Sequence, residues 1–197
     1  MAKIFPDIST IKTLRVKPTD GELHLITFLS VNLDDSFEVY FNPYLDGDRP
    51  DVIIVKESFG VVIIEVKDWN LKNYFIDENN KWYVTNGRDS GNIKSPQSQV
   101  FKYKTNLYDL HIRELGLSEA INKHYFSLTK VLVYFHNSSK NIIDNIYSNP
   151  LNKILSKIND LNFEFKEKGM IYEHYEKKLN YLTRIKKKIE RDKAISF

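Results

Sequence analysis

After Asp20-Gly21, Leu25, Ile26 and Leu29 recur at helical spacing behind Glu22. This predicts a helix over residues 19–31. The period then shortens. Residues 37–41 form a β-type run, and Asn42-Pro43 and Asp46-Gly47-Asp48 carry turn chemistry. Residues 51–55 and 61–66 are almost continuously apolar and are separated by five residues with turn character. They predict a hairpin of two strands buried on both faces, as in the middle of an α/β sheet. Residues 82–85 are a third β-type segment, ahead of the turn Asn86-Gly87. Ser95 and Pro96 suit an N-cap and a first helical position. The helix they open is predicted to pass Gln99, Tyr103 and Leu107 to about residue 114, with Gly116 ending it. Residues 130–136 read as another buried strand. A helix follows over 141–157, interrupted at Asn149-Pro150. A long helix is predicted over 173–193, with Tyr175, Leu179, Leu182 and Ile185 on its apolar side. The order implies an α/β fold with a mixed central β-sheet flanked by helices.

Composition narrows the chemistry. The chain has 197 residues and no cysteine, which excludes disulfides, thiolate metal sites and cysteine nucleophiles. Residues 1–10 lack the apolar stretch of a signal peptide. Apolar runs such as 61–64 are far shorter than the roughly 20 residues that span a bilayer. The expectation is a soluble cytoplasmic protein without membrane association. Net charge is +3. Residues 177–193 hold eight basic and two acidic side chains, a net of +6, which leaves −3 for the rest. The basic character is therefore C-terminal. Residues 1–165 are expected to form one domain, and 166–197 a basic helical extension. That extension reads as a solvated amphipathic helix or a connector to a further domain, because its apolar stripe needs packing partners. Tracking a phosphate backbone is its other reading.

The pair Pro50-Asp51 and Glu65-Val66-Lys67 carries the chemistry. Side chains alternate along a strand, so Glu65 and Lys67 share one face while Val66 takes the other. The hairpin brings Asp51, at a strand start, close to Glu65, at a strand end. Two carboxylates and an amine then converge at one sheet end. Mg²⁺ prefers such oxygen ligands, and two adjacent carboxylates repel without a cation. A lysine beside the metal can position the attacking water or stabilise developing charge. Taken alone, Glu-Val-Lys at a strand end is more often an exposed ion pair.

The surroundings change this balance. The stretch from Pro50-Asp51 through Gly60 to Glu65-Val66-Lys67-Asp68-Trp69 resembles the nuclease-related domain, NERD. So do Gly21-Glu22 on an early helix and Pro96-Gln97-Ser98-Gln99-Val100 with Tyr103 on a later one. That family lies in the PD-(D/E)xK nuclease-like superfamily, so the resemblance implies a restriction-endonuclease-like core. It also implies roles. Glu22, Asp51 and Glu65 would ligate Mg²⁺ or Mn²⁺, with the Val66 carbonyl as a further ligand. Lys67 would be the catalytic lysine, with Gln99 beside it. Tyr103 lies one turn on from Gln99 and completes a pattern similar to that of RecB-like nucleases. The activity implied is hydrolysis of DNA phosphodiesters, in DNA processing or defence against foreign (phage) DNA. A fused or associated helicase-type domain is a further implied partner. The rival reading is a catalytically silent nucleic-acid-binding or protein-interaction module.

Other residues have plainer readings. Tyr103, Lys102 and Trp69 are the candidates for nucleic-acid contact, although Trp69 more commonly would pack the sheet end. His24 is two residues from Glu22, off its helical face. His24 and His136 are read as non-catalytic. Phe101, Tyr103, Tyr125, Phe126, Tyr134 and Phe135 are read as core. Asp68 is either a supporting residue or an exposed one.

Overall fold

The structure is a computed structural model, and it describes residues 1–147. The helix predicted over 173–193, the 166–197 extension and most of the helix predicted over 141–157 lie outside the described residues. Residues 140–147 are helical. The chain divides into two compact units. The first is Met1–Trp69 with Lys94–Asn137, and the second holds Asn70–Ile93 and, among the described residues, 138–147.

The first unit is built on a five-stranded mixed sheet. Its strands are β1 (Lys3–Phe5), β2 (Phe37–Phe41), β3 (Val52–Lys56), β4 (Gly60–Lys67) and β8 (Thr129–Phe135), in the order β1-β2-β3-β4-β8. The β2-β3 and β3-β4 pairs are antiparallel, while β1-β2 and β4-β8 are parallel. The α/β fold with a mixed sheet flanked by helices is thus as the sequence predicts. Helix α1 spans Ile8–Thr13 and α2 spans Asp20–Asn32. Thr19 and Glu22 form a capping box at the start of α2, each side chain bonding the other's backbone N–H.

Alternation along the central strands explains the two layers. Val52, Ile54, Ile64 and Val66 pack with Leu25, Ile26 and Leu29 of α2. Ile53 and Ile63 pack with Val100, Leu107 and Tyr108 on the other face. Each fully buried aliphatic side chain contributes about 1.5–3 kcal/mol, so slipping the register of β4 by one residue would misplace both layers at once.

Helix α3 (Pro96–Asn106) supplies Val100, and it is shorter than expected. A π-helical turn, Leu107–His111, follows it, and the chain bends at Ile112 into α4 (Arg113–Ile121). Gly116 therefore lies inside α4 and ends nothing. A Cβ at Gly116 would stand 2.6 Å from the Tyr108 carbonyl oxygen, so this glycine permits close approach of α4 to the π-helical turn.

The second unit holds a three-stranded antiparallel sheet of β5 (Tyr74–Ile76), β6 (Trp82–Thr85) and β7 (Ser90–Ile93). The strand predicted at 82–85 is present, but it is not a strand of the central sheet. Trp82 is buried and meets Tyr147 edge-on at 5.7 Å between ring centroids. Two aromatics assigned to the core, Phe101 and Tyr125, are exposed. Among the described residues, no helix is long and apolar enough to cross a membrane.

Candidate functional site

The site grows out of the end of the β3-β4 pair. The antiparallel register sets Val52 against Ile64, so the next residues out are Asp51 and Glu65. Opposite Val66 there is no strand residue left to accept its N–H. The Asp51 carboxylate takes that place, accepting the Val66 N–H at 2.7 Å. Lys67 faces the other neighbour, where its carbonyl accepts the His136 N–H at 3.0 Å. A strand residue turns its N–H and C=O to the same edge. The Val66 carbonyl is therefore on the Asp51 side.

Glu65 is 2% exposed. Its Oε1 accepts from Lys67 Nζ at 2.5 Å and from Gln99 Nε2 at 2.6 Å. Its Oε2 is buried and has no hydrogen-bond partner among the described residues. Gln99 Nε2 also donates to the Tyr103 hydroxyl at 3.0 Å, one turn along α3. The Lys67 ammonium lies 5.6 Å from the Trp69 ring centroid, and Trp69 leans on Phe135. Trp69 thus packs the sheet end beneath the lysine.

The electrostatics are those of crowded, dry carboxylates. Burial, with the charge of Glu65 next, pushes Asp51 up to about 7, and the bond from Val66 opposes this. Burial also raises Glu65, against the bond and charge of Lys67. The charge of Glu22 raises both acids, so Glu22 stands within electrostatic reach of the pair. Its Oε2, however, accepts the Thr19 N–H at 2.7 Å. Among the described residues, no three His, Cys, Asp or Glu side chains are gathered closely enough to hold a metal ion alone. Asp51, Glu65 and the Val66 carbonyl nevertheless offer hard oxygen donors. An unpartnered buried carboxylate oxygen and a carboxyl pushed to about 7 are what a divalent cation would relieve. Mg²⁺ ordinarily takes one or two carboxylates and completes its shell with water and phosphate.

Of the predicted residues, Asp51, Glu65, Val66, Lys67, Gln99 and Tyr103 come together directly. Glu22 borders them through its charge. Lys102 is exposed on α3, and its charge reaches Asp48. The position of Gly21 is tight. A Cβ there would collide with Asp68 Oδ1 and stand 2.9 Å from His136 Cβ and 3.0 Å from Val66 Cγ1. That contact seats the start of α2, and with it Glu22, on the ends of β4 and β8.

Two features were not read from the sequence. The Tyr134 hydroxyl lies 2.9 Å from His24 Nδ1 and 3.2 Å from His136 Nδ1, so two histidines distant in sequence share one phenol. Burial, with the charge of Asp68 adding to it, raises the Tyr134 phenol. Asp48 Oδ2 accepts from Asn106 Nδ2 at 2.7 Å and pairs with His111 Nε2 at 3.0 Å. The spacing Gln99, Tyr103, Asn106 marks one helical face and is the signal that could have found Asn106.

A family model described as the nuclease-related domain matches residues 17–136. No curated protein and no solved structure matches the chain.

Proposed function

Because the chain belongs to the nuclease-related domain family, we propose that it is a metal-dependent nuclease hydrolysing DNA phosphodiester bonds with Mg²⁺ or Mn²⁺. The observation that carries this reading is the facing pair Asp51 and Glu65, with Glu65 Oε2 buried and unpartnered. Asp51, Glu65 and the Val66 carbonyl would hold the cation, and Glu22 would join through water or by leaving its cap. A bound divalent cation supplies charge neutralisation and a lower pKa for water. The chain's own residues do the rest. Gln99 and Lys67 both bond Glu65 Oε1 and so fix the carboxylate with Oε2 directed elsewhere. Lys67 has further N–H donors with which to orient a water or a phosphate oxygen. The Tyr103 hydroxyl accepts from Gln99 and keeps its own proton for a phosphate oxygen. Lys102 and Trp69 are the flanking candidates for contact with the nucleic acid. Localisation in the cytoplasm, a role in DNA processing or phage defence, and association with a helicase-type domain belong to the same proposal.

The test is cleavage of plasmid and single-stranded DNA with Mg²⁺, with Mn²⁺, and with neither. Metal-dependent cleavage that disappears in Asp51→Ala and Lys67→Ala supports the assignment. Cleavage that persists in both variants refutes it.

A second reading is binding to nucleic acid or protein without cutting. It is favoured by the engagement of Glu22 in its own helix cap, which leaves two acids where the family resemblance implies three. Calorimetry separates the readings, since this one predicts no Mn²⁺ binding at millimolar concentration beside tight, salt-dependent DNA binding.

A further inference from the structure

Along α3, Gln99, Tyr103 and Asn106 form one polar stripe. A carboxylate pins each end of it. Glu65 accepts from Gln99 at one end, and Asp48 accepts from Asn106 at the other. Asp48 is nine-tenths buried, and its second donor is His111. The carboxylate can only accept, so His111 carries its hydrogen on Nε2. Burial opposes the Asp48 charge. The bonds from His111 and Asn106, with Lys102 nearby, outweigh it and hold this carboxyl below its ordinary value.

The backbone around the pair is built to hold it. Leu45 and Asp48 exchange both backbone hydrogen bonds across a tight turn, with Asp46 and Gly47 at positive φ. Only Arg49 and the fully buried Pro50 separate Asp48 from Asp51, and proline fixes its own φ. On the other side, His111 closes the π-helical turn in which the Ile112 N–H bonds the Leu107 carbonyl at 3.0 Å. Such wide turns are rare and cluster at functional sites. In a plain α-helix His111 would be rotated away from the Asn106 face by the missing residue.

We propose that Asp48 and His111 form a positioning clamp that locks the segment carrying Asp51 to the helix carrying Gln99 and Tyr103. They touch no reacting atom. They set the distance between the two walls of the carboxylate site, so that Gln99 meets Glu65 while Asp51 meets Val66. This rests on the nuclease reading for its consequence in catalysis, but not for its geometry.

The test uses the full chain and two independent readouts. The first is the side-chain amide resonance of Gln99, identified by its loss in Gln99→Glu. The second is kcat and KM for Mn²⁺-dependent cleavage of a single-stranded oligonucleotide. His111→Ala should move the Gln99 resonance and lower kcat on the order of tenfold, as the loss of supporting hydrogen bonds does around metal sites, with KM changed less than about twofold. His111→Gln, which restores an amide donor, should recover both. Should His111→Ala fail to fold by near-ultraviolet circular dichroism, Asp48→Asn is read in the same way, with a smaller shift in the same direction. An unmoved Gln99 resonance with wild-type kcat overturns the clamp. A wild-type chain that cuts nothing retires the nuclease reading. The amide shift then decides the clamp alone: movement in His111→Ala upholds it, and no movement overturns it.

Discussion

Gln99 Nε2 donates to Glu65 Oε1 at 2.6 Å across 34 residues of sequence. The bond fixes which oxygen of Glu65 is occupied and leaves the other, Oε2, buried without a partner. An aspartate or glutamate held in this way is oriented before any ligand arrives. Gln99→Leu should therefore lower the rate of metal-dependent DNA cleavage on the order of 10–100-fold, the usual loss when a ligand's orienting partner is removed. Initial rates at saturating Mn²⁺ check this. A rate within twofold of wild type would mean that Gln99 plays no part in orienting Glu65.

Lys67 is expected to separate binding from chemistry. Its ammonium bonds Glu65 and lies over Trp69. Lys67→Met removes a cation that lowers both acids, so each carboxyl should hold its proton more firmly. Mn²⁺ affinity at pH 8, where competition from protons is least, should stay within about tenfold, while cleavage falls about 10²–10⁴-fold, as for the loss of a proton-handling group. Calorimetry and cleavage assays on the same preparation test this. Loss of metal binding with unchanged turnover would contradict it.

The pH dependence follows from Asp51. Its folded value of about 7 lies above the ordinary carboxyl value near 3.8. Between those values the folded state binds more protons than the unfolded state, so stability without metal should decline as pH rises from about 4 to 7 and level off above. Asp51→Asn should flatten that decline, as urea denaturation at a series of pH values would show. A metal competes for the same proton. Mn²⁺ affinity should therefore rise by up to about tenfold per pH unit below 7 and then plateau. Affinity that is constant from pH 5.5 to 8 would count against Asp51 as a ligand.

Gly21→Ala should strain the start of α2. The added Cβ meets Asp68 Oδ1, His136 and Val66 together, and overpacking of this kind costs about 1–3 kcal/mol. The midpoint of urea denaturation should fall, and cleavage should fall with it because Glu22 is the next residue. An unchanged midpoint would show that α2 can shift without loss.

The long, strongly patterned elements were legible because they repeat a period. The Leu25, Ile26 and Leu29 stripe located α2, and the two β-branched runs located β3 and β4. The three-residue β1 and six-residue α1 are too short to display a period. Gly116 misled because a glycine near a helix end signals termination, whereas here it makes room for the Tyr108 carbonyl.

The sequence by itself determined that Glu65 and Lys67 share one face of a strand, that Asp51 begins its neighbour, and that Gln99 and Tyr103 share a helical face. Those facts follow from local geometry, with side chains alternating along a strand and recurring every turn of a helix. Only the tertiary structure decided that α3 lays Gln99 on Glu65, that Tyr134 joins His24 to His136, and that Asp48 finds Asn106 and His111. Contacts between segments far apart in the chain depend on how the layers pack against the sheet, and no local period encodes that.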